Sequence, residues 1–201
     1  MKYSRAIISA LLLSLLALGQ TQAAAPYNPM AHKQKKPANN YMGASIGMSE
    51  SEALCTSLKN CLDDEKSWKA YSGVRLNDNV VIEGGYVKFG DLSADDSNGN
   101  KMTSKLSGYT TAGLATFQYS DQIELFGKGG MIWWENETSG SSGSYTNDDS
   151  GTFLGIGANY DMGDNLGIKA EWERFDGISR FKDEAAESID LLSVGVTFSS
   201  L

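Results

Sequence analysis

Gly129-Gly130-Met131-Ile132-Trp133-Trp134-Glu135-Asn136-Glu137 (GGMIWWENE) sets two of the chain's four tryptophans side by side. Adjacent side chains diverge by about 100° on a helix and leave by opposite faces on a strand, so a single buried core is a poor home for both rings. The flanking sequence has to say what lies on each side.

Reading outward from this stretch, alternating segments bounded by Gly, Asn, Asp or Ser predict strands at about 41–48, 67–76, 80–90, 106–119, 123–134, 152–162, 166–175 and 189–199. That makes eight strands, and their connections alternate in length. NDN (77–79), SDQ (120–122) and GDN (163–165) are tight turns, whereas 49–66, 91–105, 135–151 and 176–188 are long and hydrophilic. An up-and-down meander with every short turn at one end and every long loop at the other is the layout of an all-β, eight-stranded antiparallel transmembrane barrel. A soluble lipocalin-like barrel has no need of that asymmetry.

The topology makes the aromatics a test. Trp133 and Trp134 close the fifth strand, Trp172 lies late in the seventh and Trp68 opens the second, so all four tryptophans fall at the loop end. Tyr41 opens the first strand while Tyr119, Tyr160 and Phe198 close the fourth, sixth and eighth, which places these four at the turn end. Two aromatic girdles are what membrane interfaces select. Trp133 then faces lipid headgroups, and Trp134 caps the barrel mouth under the third loop.

The opposite faces of the same strands are polar. Trp68, Ala70, Val74 and Leu76 alternate with Lys69, Tyr71, Gly73 and Arg75; Leu125, Gly127, Gly129 and Met131 with Glu124, Phe126, Lys128 and Gly130; Ile168, Ala170 and Trp172 with Lys169, Glu171 and Glu173. Glu83 joins the polar set, with Ile82, Gly84 and Tyr86 outside, and the fourth strand is phased by taking Phe117 and Tyr119 as outward. The inward charges are Lys69, Arg75, Lys128 and Lys169 against Glu83, Glu124, Glu171 and Glu173, four of each sign. Eight strands enclose a lumen that side chains fill, so matched charges there read as an ion-paired core. A narrow ion path gated by rearranging those pairs is the rival reading; a wide porin channel needs more strands.

The ends and the composition fit export. MKYSR, an apolar run from Ala6 to Gly19 and QTQAAAP form a secretory signal peptide, with cleavage expected after Ala23. A flexible basic leader follows over 24–40, and the barrel over 41–201. Losing Lys2 and Arg5 takes the formal net charge from −8 to −10, which argues against nucleic acid as a partner. Cys55 and Cys61 stand in the first long loop of an exported chain, where a disulfide forms and persists; a pair of buried free thiols is the alternative.

"GGMIWW", "GANYDMGDNLGIKAEWERF", "VVIEGGYVKFGDL" and "LLSVGVTF" closely resemble segments of the OmpA-like transmembrane domain and its small relatives among the outer-membrane β-barrel proteins. The resemblance covers most of residues 41–201. It implies a barrel in the cell outer membrane of a Gram-negative bacterium, surrounded by outer-membrane lipid and inserted by the outer-membrane assembly machinery. It also implies a gate-like interior pair at Glu83 and Lys169. The resemblance carries no peptidoglycan-binding domain, and Ser200-Leu201 stand where the family usually ends on an aromatic residue.

Enzymatic chemistry finds no support in the residues. His32 is the only histidine and lies in the leader, which leaves no Ser/His/acid site on the barrel. One His and two Cys make no metal site, no cofactor motif is present, and the acidic stretch 91–100 lacks EF-hand spacing. The reading is therefore a non-enzymatic outer-membrane barrel with a structural or surface-display role, meeting an extracellular surface ligand through its long loops. A narrow ion-conducting pore gated by an interior salt bridge and a soluble periplasmic ligand-binding barrel are the alternatives.

Overall fold

The computed structural model describes residues 40–51, 59–63, 66–95, 101–140, 143–179 and 187–200. The expected signal peptide, nearly all of the leader, His32 and Cys55 lie outside the described residues.

Strands account for almost all of it: β1 (Asn40–Ser51), β2 (Lys59–Asp63), β3 (Lys66–Asn77), β4 (Val80–Lys88), β5 (Leu92–Asp95), β6 (Lys101–Gln118), β7 (Ile123–Gly140), β8 (Gly143–Gly163), β9 (Leu166–Ile178) and β10 (Glu187–Ser200). Eight of these close a ring of antiparallel neighbours in the order β1-β3-β4-β6-β7-β8-β9-β10, and β10 pairs back onto β1 from Asn40↔Ser200 to Ser51↔Ile189. Closure leaves the ring without an open edge, so the ladder of backbone hydrogen bonds runs all the way round, as a bilayer requires.

The turns close by side-chain chemistry read easily from the sequence. At 77–79 the Asn77 carboxamide oxygen accepts a hydrogen bond from the Asn79 amide at 2.9 Å. At 163–165 Asp164 and Asn165 both have positive φ (51° and 65°), the backbone a two-residue primed hairpin turn demands, and Gly163 before them is positive as well, at 89°.

The long connections differ from expectation. The stretch 135–151 is not a loop: β7 and β8 continue in register to Gly140↔Gly143. Parts of 49–66 and 91–105 are also strand. β5 pairs with β6 from Leu92↔Ser104 to Asp95↔Lys101, and β2 pairs with β5. A five-stranded sheet, β2-β5-β6-β7-β8, therefore rises from one side of the ring at its loop end. In the extended parts of β7 and β8 the outer face is polar because water rather than lipid surrounds it, so no apolar alternation marked them as strands.

Below this sheet the faces separate sharply. Met42, Ile46, Met48, Ile82, Met131, Leu154, Ile156, Leu192, Val194 and Val196 point outward and form the apolar band a bilayer requires. Inward positions are buried, and glycine makes room where rings must enter. A Cβ at Gly73 would overlap the Tyr41 ring, and one at Gly43 the Tyr71 ring.

Candidate functional site: the filled lumen and its loop-end rim

The lumen is packed in three layers. At the loop end, Phe89, Leu106, Ile132, Trp134, Phe153, Phe175, Ile189 and Leu191 form an apolar plug. Phe175 stacks on Phe153 at 4.9 Å between centroids and meets Phe89 edge-on at 5.1 Å. Trp134 belongs to this plug and donates its indole N–H to the carbonyl of Gly177 at 3.1 Å. Trp133 faces outward, 47% exposed against 3% for Trp134. The paired tryptophans thus serve two environments on one strand.

The middle layer is ionic. Lys128 Nζ lies 2.6 Å from Glu171, 2.6 Å from Glu173 and 3.3 Å from Glu83; Lys169 Nζ lies 2.6 Å from Glu83 and 3.5 Å from Glu171; Lys69 pairs with both Glu171 and Glu173. Three lysines and three glutamates cancel. Each cation has at least two carboxylates, which is how buried charge becomes tolerable. Lys169 also sits 4.2 Å above the Tyr71 ring and 5.0 Å from that of Phe126, a cation–π arrangement. The long side chains spring from β3, β4, β7 and β9, and small residues stand beside them in register on β1 and β10, Ser45 next to Lys69, Gly195 next to Lys169 and Ser193 next to Glu171.

The third layer closes the turn end. Arg75 reaches Glu124 at 2.7 Å, Thr116 Oγ1 at 3.1 Å and the Asp78 carbonyl at 3.2 Å, while the Asn159 carboxamide donates to Glu124 at 3.1 Å. All eight charges placed inward from the sequence do lie inside. They divide into a cluster of six and a separate pair, and Glu83 and Lys169 are direct partners.

Six of the seven girdle residues face outward: Trp68, Trp133 and Trp172 at the loop end, Tyr119, Tyr160 and Phe198 at the turn end. Tyr41 is a correction. It points into the lumen, where its hydroxyl donates to Glu83 at 2.6 Å. The phase of β1 is the reason: Met42, Ile46 and Met48 face out, so the odd positions face in. Two further members join the girdle: Tyr86, which the sequence placed outside without assigning it to the girdle, and Tyr109, which it did not place. They extend a continuous loop-end row in which Trp68 meets Tyr86 at 5.4 Å and Tyr86 meets Tyr109 at 5.2 Å. The outward phase of Phe117 carries by steps of two to Tyr109, so the signal was present in the sequence. The apolar plug was missed as a layer, because single inward aromatics on separate strands do not announce that they share one level.

A closed ring of eight antiparallel strands, apolar outside and packed inside, defines a transmembrane β-barrel. The chain matches the outer membrane protein beta-barrel domain family over residues 9–199 and belongs to that family, which places it in the cell outer membrane. Solved structures with the same fold include Neisserial surface protein A, 12% identical over 81% of this chain and 98% of that one, with a TM-score of 0.59. OprG from Pseudomonas aeruginosa is 9% identical over 83% and 99%, with a TM-score of 0.52. The N-terminal β-barrel domain of OprF from the same organism is 15% identical over 80% and 98%, with a TM-score of 0.50. These likenesses are of fold. No curated protein matches the sequence significantly.

Proposed function

We propose that the protein is a non-enzymatic display barrel, a sealed cylinder that holds the β2-β5-β6-β7-β8 sheet above the outer membrane as a recognition surface for an extracellular ligand. The observation that carries this reading is the filling of the lumen at all three levels, with Lys169, Glu171 and Glu173 each no more than 2% exposed. A transport function needs a path, and packing of this kind supports a rigid scaffold instead. In the same reading the signal peptide is removed after Ala23, the assembly machinery inserts the barrel, and Cys55–Cys61 staples the first loop.

The rival is the gated pore, favoured by the direct Glu83–Lys169 pair. Planar bilayers separate the two. Purified protein is expected to leave the membrane electrically silent. Discrete conductance steps whose amplitude or frequency changes in Glu83→Ala would establish the pore and remove the display-only reading. The soluble periplasmic alternative does not survive membership of an outer-membrane family.

A further inference from the structure

Lysines gather on one sector of the outer wall. Lys88 stands in register with Trp68 of β3 on one side and Ser107 of β6 on the other. Lys66 lies two residues loopward of Trp68, and Lys105 two residues loopward of Ser107. Lys88 is therefore flanked by a lysine on each diagonal, a backbone separation of about 7–8 Å. All three side chains leave by the outer face, beside and loopward of the Trp68–Tyr86–Tyr109 row. Lys66 stands two residues, about 6–7 Å of strand, loopward of Trp68, Lys88 the same step loopward of Tyr86, and Lys105 four residues loopward of Tyr109; cations just outside an aromatic girdle are placed to meet headgroup phosphates.

Outside this sector the outward charges at the loop end are mostly of the opposite sign. Glu135 and Glu137 stand on β7, Asp148 on β8, and Glu50 of β1 faces Asp190 of β10 in register, with Arg174 3.9 Å from Asp190. Within the lysine sector, Asp91 lies 3.2 Å from Lys88, both side chains more than a third exposed, and Glu137 is the cross-strand neighbour of Lys105. Exposed pairs of this kind are weak and readily exchanged for a doubly charged phosphate.

A second feature meets the first at Trp68. On the membrane side of that ring the wall is dented, with Ala44, Ile46, Trp68, Ile168, Val194 and Val196 among the residues lining it, a hollow of about 480 Å³. Phosphate-seeking cations toward the loops, an indole next to them and an apolar hollow on the membrane side match one molecule read from head to tail. We propose that this sector binds a phosphorylated glycolipid of the outer leaflet, its phosphate on Lys66, Lys88 and Lys105 and one acyl chain along Trp68 into the Ala44 hollow.

Native mass spectrometry of the micelle-embedded protein tests this, with diphosphorylated lipid A, dephosphorylated lipid A and inorganic phosphate as probes. Wild-type protein should retain one diphosphorylated lipid A, and about tenfold less of the dephosphorylated form. The K66Q/K88Q/K105Q protein should lose retention by about the same factor, and Ala44→Leu, which fills the hollow, should lower it as well. Excess inorganic phosphate should displace nothing. Equal retention by the triple variant, indifference to the lipid's phosphates, full retention by Ala44→Leu, or displacement by free phosphate would each overturn the proposal. A heat-dependent gel shift for every variant separates failure to bind from failure to fold.

Discussion

Trp133 and Trp134 show how far one residue's surroundings depend on strand phase alone. The two rings differ in position by a single step, yet Trp134 is enclosed by the apolar plug and hydrogen-bonded while Trp133 faces lipid. Trp134→Ala should therefore cost about 3–5 kcal/mol of barrel stability in a denaturant titration, and Trp133→Ala clearly less; equal losses would remove the plug from the account. Gly73 offers a sharper test, because Gly73→Ala drives a methyl group into the Tyr41 ring. A loss of about 1–3 kcal/mol is expected, partly restored when Tyr41→Ala is added, since the second change removes the obstacle. At this scale the sequence was legible wherever a charged residue alternated with an apolar one, as along Lys169–Glu173. It was not legible at Tyr41, where an aromatic at the first position of a strand fitted the girdle pattern and the phase of its own strand was passed over.

Element boundaries are where polarity misleads. The strands were found by apolar alternation, which exists only where one face meets lipid, and so β7 and β8 seemed to stop near Trp134 and Thr152. Above that height Asn136 and Thr138 turn inward and are buried, and Ser104 donates to Asn136 at 2.7 Å. Polar residues on both faces carry no hydrophobic period, although the ladder itself continues to Gly140↔Gly143. Hydrogen exchange reads this directly: the β7 amides between Glu135 and Ser139, held between β6 and β8, should exchange at least about tenfold more slowly than a free loop. Exchange at the rate of an unstructured peptide would contradict the projecting sheet. The tight turns were legible because Asn77, Gly163 and Asn165 carry their conformations in their own chemistry.

For the molecule as a whole, closure and filling are coupled. Eight strands fix a narrow lumen, and the narrow lumen fixes what occupies it: six charges in one neutral cluster, the Arg75–Glu124 pair toward the tight turns and an aromatic plug toward the loops. Removing one member of the cluster leaves a buried countercharge, so Glu83→Ala is expected to destabilise the barrel by about 3–5 kcal/mol in urea titrations, with Lys169→Ala similar. Little or no loss in either would mean that water, rather than the partner, solvates these groups. Inward charge and outward apolar residues were readable from alternation; the stacking of the interior into layers was not, because it depends on the stagger between strands. The most direct test of the central claim is the gel mobility of the protein in isolated outer membranes, boiled against unboiled. A closed and filled barrel resists detergent until heated, so the account predicts two mobilities that convert on boiling; a single mobility at all temperatures, with the protein in the soluble fraction, would contradict it.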